Sequence, residues 1–254
     1  MDWRIGVLLV GVGIIGGLMN ALAGGATLIT FPAMLAAGLT PVVANASNAV
    51  AVFPGHLIAA FADREKLPSF DRRLLYLTAA GICGGAMGAF VLMVIPERFF
   101  VLPVPALIAF ATLLFAFAPR IQAWSLRRKT KPETPSSTKG VAALAAASVY
   151  GGFFGAGLGV ILTAVLAITE PNDIRAIKVL KNLLATWVTF TAIVIFISKG
   201  MVQWHETLYM LGGAIAGGYA GGLLIRVLPA NYVRYFVIIA GTLMSVVYAI
   251  KYWF

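Results

Sequence analysis

The chain has 254 residues, 61% of them hydrophobic and 11% charged, with a mean hydropathy of +0.94. A soluble core has no use for so much apolar sequence, which excludes the water-soluble enzyme classes and indicates a polytopic, all-α membrane protein. The net charge of +10 reads as loop charge, not as a nucleic-acid surface, because nothing else in the chain resembles a nucleic-acid module.

A membrane span needs about 20 apolar residues. Stretches free of Asp, Glu, Lys and Arg run through 5–62, 74–96, 99–119, 140–169, 182–198, 207–225 and 235–250, which predicts about eight transmembrane segments. The start, MDWRIGVLLV, has one Arg before a long apolar run and no small-residue cleavage site, and so reads as a retained first helix.

The first run breaks the rules of its own environment. It reads ALAGGATLITFPAMLAAGLTPVVANASN over 21–48, with Gly24-Gly25, two prolines, two asparagines and a serine. Non-helical backbone at membrane depth is tolerated only where protein buries it or where it lines a watery cavity. Asn45, Ser47 and Asn48 open the next helix. About two turns further on stands His56, the one ionisable group of the run and by default a functional candidate. The unperturbed pKa of an imidazole lies near physiological pH, which makes His56 the candidate for proton coupling; the alternative is a neutral packing histidine beside Pro54. The single cysteine, Cys83, next to Gly84-Gly85, reads as a small packing residue and cannot form an internal disulfide.

The segment RIQAWSLRRKTKPETPSSTK (120–139) carries six basic residues and one acid among Pro, Ser and Thr, as a cytoplasmic linker does under the positive-inside rule. On its two sides lie related halves, 1–118 and 140–254, joined by this linker at 119–139. An offset of 133 residues places Gly24 on Gly157, Lys66 on Lys199 and Pro96 on Pro229. It also places AAGICGGAMGAFVLMVIP (79–96) on GGAIAGGYAGGLLIRVLP (212–229). The pairs Gly84/Gly88, Gly217/Gly221 and Gly218/Gly222 have the spacing that lets membrane helices approach closely.

The second half repeats the broken pattern in YGGFFGAGLGVILTAVLAITEPNDIRAIKVLKNLLA (150–185). A glycine-rich break at Gly157 precedes a short apolar helix and a turn, and the following helix opens with Lys178, Lys181 and Asn182. Asn45 falls on Lys178 and Asn48 on Lys181. Helix starts aimed at a cavity offer free N–H groups and positive dipole ends, and residues three apart share a helix face. Amide and ammonium donors at matching places, with no carboxylate among them, describe a substrate site for a small oxyanion formed by Gly24, Gly25, Asn45, Ser47, Asn48, Gly157, Lys178, Lys181 and Asn182. Singly, each polar residue also fits a cap or a snorkelling side chain; recurrence in both halves favours a site. Glu170 and Asp173, in a Pro-containing turn, read as solvated loop residues, and His205 as interfacial.

If the broken segments each cross the membrane once, the halves are parallel and thirteen of nineteen basic residues lie inside. If each turns back as a re-entrant pair, the halves are inverted repeats and fifteen of nineteen lie inside, which favours inversion. Many secondary transporters are duplicated in this way. There is no phosphate loop, no Cys/His metal spacing and no nucleophile with a base in reach, so no cofactor, no metal and no enzymatic activity are expected.

In AGGATLITFPAMLAAGLTPVVANASNAVAVFPG, GGFFGAGLGVILTAVLAI and IRAIKVLKNLLA, in that order around a basic linker, the chain resembles the TauE/SafE family of sulfite and sulfonate exporters over essentially its whole length. The resemblance implies a duplicated helical transporter of the cytoplasmic (inner) membrane moving small anions such as sulfite, thiosulfate, sulfoacetate or other organic acids. Leu158 stands between Gly157 and Gly159 where members often have a longer glycine run. The expected partners are the anion and membrane lipid. Two other classes compete, a membrane scaffold or accessory subunit and an anion channel; a channel needs a continuous pore.

Overall fold

The computed structural model describes residues 3–22, 25–61, 70–127, 138–169, 174–224 and 230–254, and all the regular structure among them is helical. The helices are α1 (Trp3–Leu22), α2 (Thr27–Ala36), α3 (Pro41–Phe61), α4 (Arg72–Val94), α5 (Glu97–Val101) and α6 (Val104–Arg127). After the linker come α7 (Thr138–Phe153), α8 (Leu158–Thr169), α9 (Ile174–Ser198), α10 (Trp204–Leu224) and α11 (Ala230–Trp253). Among the described residues, five stretches are long and apolar enough to cross a membrane: Trp3–Ala21, Arg72–Val94, Glu97–Arg127, Ala176–Ser198 and Arg234–Trp253. Shorter apolar helices at 27–36, 140–153 and 158–168 accompany them. Lys66 and Pro229, two landmarks of the repeat, lie outside the described residues.

Glycine sets the closest helix contacts. A β-carbon on Gly13 would stand 2.4 Å from the Met210 carbonyl oxygen, and one on Gly17 2.1 Å from that of Ala214. On the other flank, a β-carbon on Gly84 would meet the Ala145 oxygen at 2.6 Å and one on Gly88 the Val149 oxygen at 2.0 Å. Backbones can approach this closely only without side chains. Residue numbers rise together in both contacts, so α1 runs parallel to α10 and α4 parallel to α7.

Other pairs run antiparallel. Along α6, the carbonyls of Leu102 (just before it), Pro105 and Ala116 accept in turn from Trp253, Ser245 and Arg234 of α11. Early in α3, Ser47 meets Gln203 just beyond the end of α9, whereas Gly55 and His56 near the end of α3 share a cavity with Lys178 and Lys181 at the start of α9. Packing partners are exchanged between helices one offset apart: α1 on α10 and α7 on α4; α3 on α10 and α9 on α4; α2 on α11 and α8 on α6.

The chain folds back at both breaks. A β-carbon on Gly16 would lie 2.5 Å from the Thr30 side chain, so α2 returns along α1. In the second half the Tyr150 hydroxyl donates to the Ala156 carbonyl at 2.6 Å, and Gly151 lies under Leu158. One expectation needs correcting. Cys83 is exposed, not packed, because the 100° turn per residue puts it beside the Gly84/Gly88 stripe and off the seam.

Candidate anion-binding cavity

Both glycine breaks reach one cavity of about 460 Å³ near the linker-side ends of the helices. Gly25 (φ +87°) and Gly157 (φ +79°) turn the chain in the left-handed region, which side chains disfavour, and so let the starts of α2 and α8 come to the cavity wall. Phe115 of α6 covers the first of these turns, its ring 3.1 Å from where a β-carbon on Gly25 would be.

The polar wall comes from α9. Lys178 and Lys181, one turn apart, line the cavity with Asn182; Lys178 is exposed and Lys181 half-buried. The Lys181 Nζ lies against the first turn of α8, 3.7 Å from where a β-carbon on Gly159 would stand, an ordinary van der Waals separation. His56 enters from α3, close enough to Lys181 for the two groups to interact electrostatically. No carboxylate lines the cavity among the described residues.

The sequence-predicted residues thus divide. Gly25, His56, Gly157, Lys178, Lys181 and Asn182 come together at the cavity. Asn45, Ser47 and Asn48 do not line it. They are 3%, 0% and 2% exposed, nearer the opposite end of α3, with Asn45 eleven residues from His56, roughly 16 Å along the axis. The Asn45 amide donates to the Phe153 carbonyl at 2.9 Å, and the Ser47 hydroxyl accepts from the Gln203 N–H at 2.9 Å. Gly24, Glu170 and Asp173 lie outside the described residues. His205 sits in the first turn of α10 with its ring against Tyr209.

Sequence reasoning passed over Asn20 and Gln122, which also line the cavity. Asn20 was legible: it is an isolated amide in a helix that is otherwise apolar after Arg4, just before the break. Its Nδ2 occupies the space beside Gly55, 2.1 Å from where a β-carbon there would be. Among the described residues, Asn20, Gln122, Lys178 and Lys181 have no hydrogen-bond partner. Donors that line a cavity without such a partner are open to water or a ligand.

A helical membrane protein with an internal, donor-lined cavity at broken helices belongs to the transporter class. Residues 9–248 match the model of the sulfite exporter TauE/SafE family, and the chain belongs to that family. It is 26% identical over 238 residues to a "Probable membrane transporter protein" of Haemophilus influenzae, covering 92% of this chain and 90% of that one. It is also 26% identical over 236 residues to the "Probable membrane transporter protein YfcA" of Escherichia coli K12, covering 92% and 86%. No solved structure matches the chain.

Proposed function

We propose that the protein is a secondary transporter of the cytoplasmic membrane that moves a small anion, such as sulfite, thiosulfate, sulfoacetate or a related organic oxyanion, by alternating access between two inverted halves. One observation carries the reading: two lysines, three amides and a histidine converge with two helix starts on a cavity that no carboxylate lines among the described residues. Positive charge gathered inside a membrane protein is unfavourable unless it is paired, and a bound anion would pair it. The halves are inverted in this reading because helices one offset apart, α3 with α9 and α6 with α11, run antiparallel while exchanging packing partners. The buried Asn45 and Ser47 close the end of the molecule away from the cavity, which favours a carrier over a channel.

The test is uptake into proteoliposomes of labelled sulfite, thiosulfate, sulfoacetate and simple carboxylates, wild type beside Lys181→Gln. Saturable uptake of one of these, lost in the variant, is the expected result. Uptake of none, or a linear flux without saturation, would point to a scaffold or a pore.

A further inference from the structure

The Asn45 amide reaches across the molecule to the Phe153 carbonyl, the last residue of α7, and Ser47 takes the Gln203 N–H beside it. Next to them the Asn48 Oδ1 is buried without a partner among the described residues. The 133-residue offset places Lys178 on Asn45, and Phe153 on Asn20. Lys178 and Asn20 both line the cavity, with no hydrogen bond between them. A contact that is made at one end of the molecule is therefore open at the other.

We infer that the Asn45–Phe153 contact is the gate of the end away from the cavity, and that in a second conformation it parts while the Lys178 ammonium closes onto the Asn20 backbone carbonyl. This rests on the transporter reading above. Three features support it. Each conformation makes one cross-half bond from a side chain to a carbonyl at the end of a first helix, so neither state gives up the interaction without a replacement, and the two can lie close in free energy. The bond is between groups that have no other partner among the described residues: Phe153 is followed directly by the break at 154–157, where the helix ladder ends. Finally, a buried acceptor without a donor destabilises the conformation that contains it, and opening this end gives the Asn48 Oδ1 water.

The experiment uses membranes of full-length protein in a Cys83→Ser background, Cys83 being the only cysteine. The pairs Asn45→Cys/Phe153→Cys and Asn20→Cys/Lys178→Cys are oxidised with copper phenanthroline. Both are expected to cross-link, the first pair trapping this conformation and the second its alternate. Cross-linking the first pair should abolish anion exchange, with recovery on reduction. Adding Asn45→Leu to the second pair should speed its cross-linking about twofold to tenfold, the worth of one neutral hydrogen bond. Asn45→Ala, which is smaller and leaves no donor, serves the same purpose if the leucine variant does not fold. Failure of the second pair to cross-link, or no acceleration with either Asn45 variant, would overturn the gate. Exchange that is lost in Lys181→Gln yet persists in the cross-linked first pair would remove the gate and leave the transporter reading. Both cross-links in vesicles that exchange no anion would do the reverse.

Discussion

Lys181 is the residue on which the proposed anion site most depends. Its ammonium lies against the first turn of α8, where N–H groups and the helix dipole also favour negative charge. Lys181→Gln keeps most of the side chain but removes the charge, and a hydrogen bond from a charged group contributes roughly 1.5–3 kcal/mol. Anion affinity should fall about tenfold to a hundredfold, measured by calorimetry on protein whose melting temperature is unchanged. Gly55→Ala tests the amide that the sequence reading passed over: the new methyl takes the place of the Asn20 Nδ2 and forces the amide away. It should weaken anion binding as much as Asn20→Leu does, and the double variant should lose little more, since both remove one contact. His56, which lines the same cavity as Lys181, is the residue we propose for the coupling. In that proposal protonation would add positive charge to the cavity and favour anion occupancy, and deprotonation would favour release. His56→Gln should therefore keep anion binding measurable and abolish the response of uptake to an imposed pH gradient. An unchanged response in that variant would make His56 a packing residue.

At the scale of the element, the glycine seams decide which helices can neighbour one another. Gly88→Ala would drive a methyl into the Val149 carbonyl, and overpacking of this kind costs roughly 1–3 kcal/mol. Gly11→Ala, with nothing within 4 Å of the new atom, should be neutral or gain about 0.5–1 kcal/mol of helix stability. Thermal unfolding in detergent separates the two outcomes. The same residue type at Gly25 and Gly157 acts differently, through positive φ at the breaks. The seams and the breaks were both legible as glycine patterns. What the pattern could not give was rotation: Cys83 adjoins two seam glycines yet faces outward. Nor could it separate Asn45 and Ser47, which bond backbone across the molecule, from Lys178 and Lys181, which face the cavity. All four are polar residues near a helix start.

For the molecule as a whole, the inverted arrangement predicts that both termini lie on the side opposite the linker. α1 ends and α11 begins at the cavity side, near Asn20 and Arg234, so Trp3 and Trp253 point the other way. Reporter fusions at the two ends should give the same sidedness, and one inserted in the basic linker the opposite; a terminus that reports with the linker would favour the parallel arrangement. The amino-acid sequence by itself determined the membrane class, the family, the two breaks and the donor chemistry, because hydropathy, glycine and charge act over short stretches and repeat at a fixed offset. Only the tertiary structure decided that both breaks open on one cavity, and that the lysine pair lines it while the asparagine pair is buried away from it. The reason is geometric. α3 and α9 run antiparallel, so equivalent residues near their starts lie at opposite ends of the molecule, and only long-range packing determines which of the two ends is open.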